Sequence, residues 1–311
     1  MWVEKTAFIL NPAAAGGRSG KLFQKISNQI NSLYPERKVL ISDYPGHASE
    51  LARKLAHEGT DQIIGCGGDG TFNQIVNGLF ENRKAIHPNL VFGTLPMGTG
   101  SDFIRTLMLP KDLNQALQCL KNGRQSKIDV GCAAMAQKQG SRDQYFLNIL
   151  SCGLSAEVAN QINNSSAPGG SFFRYMSNTI LGIAKFKNKN ISIRINDSVL
   201  FQGPFSMLAI ANGRYFGGGM LVAPQAKVND GKFQVVIIKA VPKLRLLARF
   251  PSIYSGKHLK YAETLVAESE RVEASSTDSV LIESDGESPG ALPLKVDCLK
   301  QSLNMIVGPT F

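Results

Sequence analysis

Over the first 130 residues two hydrophobic periods alternate. Apolar runs of strand length at 6–10, 38–41, 62–66 and 90–94 are separated by segments with apolar residues at helical spacing, 19–32, 47–58, 72–80 and 113–120. Such alternation predicts a parallel sheet covered by helices. The turn chemistry agrees: Gly59 closes the second helix, Gly70-Thr71 precedes the third, and Asp112 is placed to cap the fourth, which stops before Asn122-Gly123. After Ile128-Asp129-Val130 the texture changes. Short β-type runs at 145–150, 191–195, 205–211 and 233–238, separated by Gly, Asn and Pro, predict an antiparallel sandwich. Helical segments at 171–186 and 243–254 interrupt it, and 163–171, with Ser-Ser-Ala-Pro-Gly-Gly, reads as a mobile loop. The expected fold class is α/β plus all-β. A three-layer α/β domain over 1–130 would be followed by an antiparallel β-sandwich over 131–311, with the option that the C-terminal segment packs back on the first domain. A ligand is expected in the cleft between the halves.

Composition narrows the class. With 311 residues, 43% hydrophobic and 19% charged, the chain has enough apolar surface for two cores, which excludes a disordered chain. The five cysteines, Cys66, Cys119, Cys132, Cys152 and Cys298, are odd in number and form no CxxC, so neither a disulfide framework nor a zinc site is expected. A reducing cytosol suits them. The start of the chain lacks the basic and apolar regions of a secretory signal. No uncharged apolar run nears the roughly 18 residues needed to span a bilayer, since even 233–241 contains Lys239.

Charge adds a partner class. Lys+Arg 34 against Asp+Glu 24 gives +10, and two stretches, 158–196 and 231–262, hold no acidic residue. The first carries Arg174, Lys185, Lys187, Lys189 and Arg194; the second carries Lys232, Lys239, Lys243, Arg245, Arg249, Lys257 and Lys260. A field of this sign attracts a polyanion, either nucleic acid or an anionic lipid surface.

Three loops that follow strands are built from glycine and small hydroxyl residues. Gly65-Cys66-Gly67-Gly68-Asp69-Gly70-Thr71 stands between the third strand and a helix. Its glycines leave no Cβ to hold a phosphate off the backbone, and the helix start offers free amides. Asp69 is odd there, because a bare carboxylate repels phosphate. It is expected beside a metal ion, a cationic side chain, or a hydroxyl that must lose its proton. The loop from Asn11 to Lys21 approaches a Walker A sequence without completing it, and it is not a GxGxxG fingerprint. Pro96-Met97-Gly98-Thr99-Gly100-Ser101-Asp102-Phe103 follows the fourth strand. Open α/β sheets bind ligands at that strand edge, so three such loops point to a nucleotide. Far downstream, Asp285-Gly286-Glu287 and Asn229-Asp230-Gly231 are each a hairpin tip or an oxygen site for a base or a hard cation. The histidines, His47, His57, His87 and His258, have no metal spacing.

In this order the motifs resemble the diacylglycerol kinase catalytic-domain family, specifically its soluble bacterial YegS-like lipid kinases, related to sphingosine and ceramide kinases. Those that carry the likeness are Asn11-Pro12, Gly67–Thr71 with Asn73 and Asn77-Gly78-Leu79, the 96–103 loop with Arg105, Gly217–Gly219, Ala223-Pro224, Asp230-Gly231 and Asp285-Gly286-Glu287. The resemblance implies a first domain similar to phosphofructokinases and NAD kinases, with ATP and Mg²⁺ between it and the sandwich. Nucleotide contacts would come from Asn11, Pro12, Ala13, Ala14, Ala15, Ser42, Gly67, Gly68, Asp69, Gly70, Thr71, Phe72, Asn73, Gln74, Thr99 and Asp102. Glu287 or Asp285 would be the general base, with Asp69 also in the catalytic set, and the Asp230 carboxylate with backbone carbonyls near Lys227 and Lys232 would hold magnesium. Ser101, Gln74 and Ser42 stand where the family usually has Asn, Glu and Thr.

The implied activity is phosphorylation of a hydroxyl on a diacylglycerol-like membrane lipid by a cytoplasmic enzyme peripheral to the inner face of an anionic membrane, and a homodimer is compatible with it. No nucleic-acid partner is expected. Two other readings stay open: an NAD kinase, which shares the glycine loop, and a basic nucleic-acid-binding protein on a kinase-like fold, which would bind with strong salt dependence.

Overall fold

The computed structural model describes residues 5–100, 102–136, 141–163 and 171–311. It divides into two compact units, Met1–Val130 with Gln301–Phe311, and Gly131–Lys300.

In the first unit β1 (Thr6–Leu10), α1 (Ala14–Leu33), β2 (Lys38–Ile41), α2 (His47–His57), β3 (Gln62–Gly67) and α3 (Asp69–Leu79) alternate as expected. A small hairpin, β4 (Phe80–Glu81) and β5 (Lys84–Ala85), leads to β6 (Val91–Pro96), α4 (Asp102–Thr106) and α5 (Leu113–Asn122). The sheet order is β2-β1-β3-β6 and every pair is parallel; the chain's last strand adds to β6, also in parallel, through Asn304 opposite Val91. Helices cover both faces, so β1, β3 and β6 are buried along their whole length and read as unbroken apolar runs. Asp112 caps α5: its carboxylate accepts the Asn114 and Gln115 amides at 3.1 and 3.0 Å.

Two helix starts differ from expectation. The Phe72 amide already reaches the Gly68 carbonyl at 3.1 Å, so α3 begins at Asp69 rather than at 72. α1 is entered through three left-handed residues, Ala15, Gly16 and Gly17, with φ of 55°, 65° and 86°.

The remaining elements are β7 (Arg124–Ala136), β8 (Ser141–Phe146), β9 (Ile149–Gly153), α6 (Leu154–Asn163), α7 (Ser171–Lys185), β10 (Lys189–Ile195), β11 (Ser198–Ala211), β12 (Tyr215–Phe216), β13 (Met220–Leu221), β14 (Phe233–Lys239), α8 (Lys243–Arg249), β15 (Thr264–Ser269), β16 (Arg271–Ser275), β17 (Leu281–Ser284), β18 (Glu287–Ala291) and β19 (Leu294–Val307). β7 and β19 have residues in both units. Inside the second unit the pairing is antiparallel: β11 pairs with β9, β10 and β14, β17 with β9 and β18, and β16 with β10 and β19. Phe146, Phe205, Phe233, Leu208 and Ile210 form the centre of its core.

Here too the structure departs from the sequence pattern. The run at 145–150 is not one strand; it breaks at Leu147-Asn148, whose amides bond to Asp285 instead of to a neighbouring strand. The helix expected over 243–254 is α-helical only to Arg249 and continues as a 3₁₀ segment, Phe250–Ser255, because Pro251 lacks the amide an α-turn needs. Most of the loop expected at 163–171 lies outside the described residues, as does Ser101.

Helices α2 and α3 approach closely at one glycine. A Cβ on Gly78 would sit 2.1 Å from the Ser49 carbonyl oxygen. In an open helix Gly→Ala gains about 1 kcal/mol, whereas overpacking costs ~1–3 kcal/mol. Gly78→Ala is therefore expected to lower the thermal unfolding midpoint, and a raised midpoint would contradict this packing.

Candidate active site

β3, β6 and the helices that follow them build the first part of the site. The Gly67 carbonyl accepts two amides from the next loop, Met97 and Gly98, each at 2.8 Å. The two backbones then touch. A Cβ on Gly98 would lie 2.4 Å from the Gly68 Cα, and a Cβ on Gly67 would lie 2.4 Å from the Thr71 hydroxyl. Asp69 joins the loops a second time: its Oδ2 accepts the Asp102 amide at 3.0 Å, and Oδ1 lies 3.4 Å from the Phe103 amide. The odd carboxylate in a phosphate loop thus caps the start of α4, a contact the sequence expectations for Asp69 did not include. Asp102 is buried and its Oδ1 lies 3.7 Å from Arg105 Nε, while Thr99 is exposed at the loop tip.

The first loop is tied to the second. Asn11 Nδ2 donates to the Thr71 hydroxyl at 3.1 Å, and its Oδ1 accepts the Ala13 amide at 3.1 Å, which turns Pro12 and Ala13 toward Ala14 and the left-handed stretch from Ala15. Consecutive left-handed residues present their amides to one concave side, a geometry that suits an anion. The Ser19 hydroxyl beyond them is fully buried and has no hydrogen-bond partner among the described residues. Ser19 lies in the 11–21 segment that the sequence singles out, without a role of its own there. Ser42 is buried, and its amide bonds the Leu10 carbonyl at 2.8 Å. Gln74 accepts the Gly46 amide at 3.2 Å, so its side chain holds the loop before α2. Asn73 is buried and accepts from Asn77 at 3.1 Å. The Phe72 ring is in the core, 6.4 Å from that of Phe92 between centroids, which leaves only its backbone for a ligand. Gly70, in the first turn of α3, is partly exposed.

The acidic turn belongs to the second unit. Asp285 is buried and accepts three amides, from Leu147, Asn148 and Ile149 at 2.8, 3.1 and 3.0 Å. With φ of 50° and 94°, Asp285 and Gly286 form the left-handed tip between β17 and β18. The Asp285 carboxylate therefore positions the turn, and as the alternative general base it is the weaker candidate because its lone pairs are engaged by the backbone. Glu287 is exposed at the head of β18. A carboxyl absent from the expected site, Glu283, lies inside: Ser151 Oγ donates to it at 2.5 Å and the Gly286 amide at 2.6 Å. Burial pushes its carboxyl up to about 7, with the Asp285 charge adding to the rise and the two hydrogen bonds opposing it. No alternation in β17 signals it, since Ile282, Glu283 and Ser284 are all buried.

Oxygen donors for a hard cation are sparse. Asp230 is exposed on a turn, with Gly231 at φ 76°, and its Oδ1 accepts the Lys232 amide at 3.1 Å. Lys232 itself pairs with Glu268 at 3.6 Å, and Lys227 is exposed. Among the described residues no three His, Cys, Asp or Glu side chains converge in a metal-binding group. The donors at 230 are of the kind magnesium takes, a carboxylate with carbonyls and water, but they provide one charged ligand.

Residues 5–133 match the diacylglycerol kinase catalytic domain, and residues 148–307 match the YegS C-terminal NAD kinase beta sandwich-like domain. Among solved structures, a diacylglycerol kinase of Bacillus anthracis str. Sterne has a TM-score of 0.72 at 20% identity, covering 99% of this chain and 98% of its own. Yeast NADH kinase complexed with NADH has a TM-score of 0.54 at 14% identity, covering 98% of this chain and 83% of its own. The fold is that class: an α/β domain followed by a largely antiparallel β-sandwich, as in NAD kinases. Curated relatives named diacylglycerol kinase include one from Staphylococcus aureus (strain Newman), 30% identical over 263 residues, 83% of this chain and 78% of that protein. Another, from Staphylococcus carnosus, is 26% identical over 303 residues, 97% of this chain and 94% of that protein. This chain belongs to the diacylglycerol kinase family of YegS type, a family of phosphotransferases.

Glu283 gives a test of the acidic turn. A carboxyl whose folded value lies above its ordinary 4.5 binds its proton more tightly in the folded chain. That contribution is complete below the ordinary value and is lost as pH rises through about 7. Glu283→Gln is expected to gain stability relative to the parent between pH 5 and pH 8, by on the order of 3 kcal/mol. Thermal unfolding at the two pH values checks it, and a difference independent of pH would refute the buried carboxyl.

Proposed function

We propose that this protein is an ATP- and Mg²⁺-dependent lipid kinase that phosphorylates a hydroxyl of a diacylglycerol-like membrane lipid. The observation that carries the reading is the double tie between the loops at 67–71 and 96–102, through the Gly67 carbonyl and the Asp69 carboxylate. Phosphoryl transfer asks mainly for positioning and for neutralisation of charge. Side-chain-free backbone at Gly68 and Gly98, amides at the start of α3, and the left-handed stretch at 15–17 suit a triphosphate. The buried Ser19 hydroxyl is a further donor for it.

Glu287 is the general base in this reading. A lipid hydroxyl needs a proton acceptor only as the new bond forms, and an exposed carboxylate on a rigid turn can accept that proton. Asp285 and Glu283 act through Glu287 as positioning residues, because their bonds to 147–149, Ser151 and Gly286 fix the turn that bears it. Mg²⁺, held by Asp230 with carbonyls near Lys227 and Lys232, would supply charge neutralisation at the phosphates. The protein would work from the cytoplasm at the inner face of the membrane. No helix among the described residues is long and apolar enough to cross a bilayer, and the basic second half favours an anionic leaflet.

Labelled ATP offered with mixed liposomes, and with NAD in parallel, tests the function. Label is expected in the lipid fraction; label in NAD alone would replace this reading with that of an NAD kinase. On the same assay Glu287→Gln should lower turnover by roughly 10²–10⁴ with nucleotide affinity retained, and unchanged turnover would remove Glu287 from the base role.

A further inference from the structure

Exposed large apolar side chains are few, and four of the ten among the described residues, Ile180, Leu181, Leu244 and Leu247, lie on α7 and α8. Leu244 is 84% exposed. One such leucine is ordinary, but a cluster marks an interaction surface. The two helices are neighbours. Lys243 Nζ donates to the Ala184 carbonyl at 2.5 Å, and Ile183 and Phe186 share an apolar cluster with Leu246, Phe250, Leu154 and Val158. That cluster accounts for the inner face of the pair. Ile180, Leu181, Leu244 and Leu247 lie outside that cluster and are exposed.

Some cations of the acid-free stretches have carboxylate partners and others do not. Lys189 pairs with Glu157, Lys232 with Glu268 and Arg249 with Glu263. Lys185, Lys187, Lys243 and Arg245 have no carboxylate within ion-pair distance among the described residues, and all four are exposed. Exposed leucine and isoleucine on two helices that also bear cations without a carboxylate partner fit a surface that is anionic outside and apolar beneath. A second copy of this chain would bring the same positive charge, and nucleic acid would leave the leucines in contact with water.

We propose that the outer face of α7 and α8 docks on an anionic bilayer, with Leu244, Leu247, Ile180 and Leu181 entering the acyl boundary and Lys185, Lys187, Lys243 and Arg245 at the headgroups. The choice of occupant rests on the lipid-kinase reading; the face itself does not.

Sedimentation of the full chain with phosphatidylglycerol/phosphatidylcholine vesicles tests it. Leu244→Ser combined with Leu247→Ser is expected to lower partition by roughly ten-fold or more, and Leu244→Ser alone, at a side chain 84% exposed, to lower it several-fold with the unfolding midpoint unchanged. Lys187→Gln combined with Arg245→Gln should weaken binding several-fold and flatten its dependence on salt. Unchanged partition of the leucine variant overturns the proposal, as does equal binding of the parent to pure phosphatidylcholine. A leucine variant that only turns a dimer into a monomer also overturns it and assigns the face to a second copy. Kinase activity on water-dispersed dioctanoylglycerol separates the two readings. A leucine variant active there and inactive on vesicles supports docking. Leucine-dependent vesicle binding in a protein that phosphorylates no lipid also supports docking, and removes only the kinase reading.

Discussion

Met97 and Gly98 give their amides to one carbonyl, that of Gly67, and this shared acceptor brings two strand-to-helix loops together until their backbones touch at Gly68 and Gly98. Much of the first unit's chemistry depends on it. The approach is possible only without side chains, since a Cβ at 98 would meet the Gly68 Cα at 2.4 Å. Asp69 then spans the join by capping α4, and Asn11 carries the constraint to the loop before α1 through Thr71. A carboxylate in a glycine loop looks wrong for phosphate when taken alone. With its charge directed at the amides of Asp102 and Phe103, it organises the loops.

The second unit uses the same device, a carboxylate that gathers backbone amides. Asp285 gathers three amides, those of Leu147 and Asn148 between β8 and β9 and that of Ile149 at the start of β9. Glu283 adds a carboxyl that burial pushes up to about 7. Both carboxyls serve the placement of the tip that carries Glu287 and are costly to bury unless fully bonded. Such cost is common where a turn must hold one geometry for function.

What could be read from the sequence was what is decided locally. The bounds of β1 and β2 and the Asp112 cap follow from residues within a few positions of each other. The glycine loops were legible for the same reason, as was the alternation that sets the α/β fold. What failed was decided at a distance. Asp69 has partners more than thirty residues on, and the break at Leu147-Asn148 is imposed by Asp285, 137 residues from Asn148. Glu283 looked like any acidic residue beside a turn, because burial is a property of the folded sheet and leaves no mark in composition. The acid-free stretches overstated the free charge, since Lys189, Lys232 and Arg249 find carboxylates elsewhere in the chain.

In the proposed function the two loops form one phosphate cradle through backbone contact at Gly68 and Gly98. Calorimetric titration of ATP into Gly98→Ala, beside the parent protein, tests it most directly. Affinity is expected to fall by at least about ten-fold, about 1.4 kcal/mol, in a protein that still folds. A Gly98→Ala protein that binds ATP as tightly as the parent would contradict it.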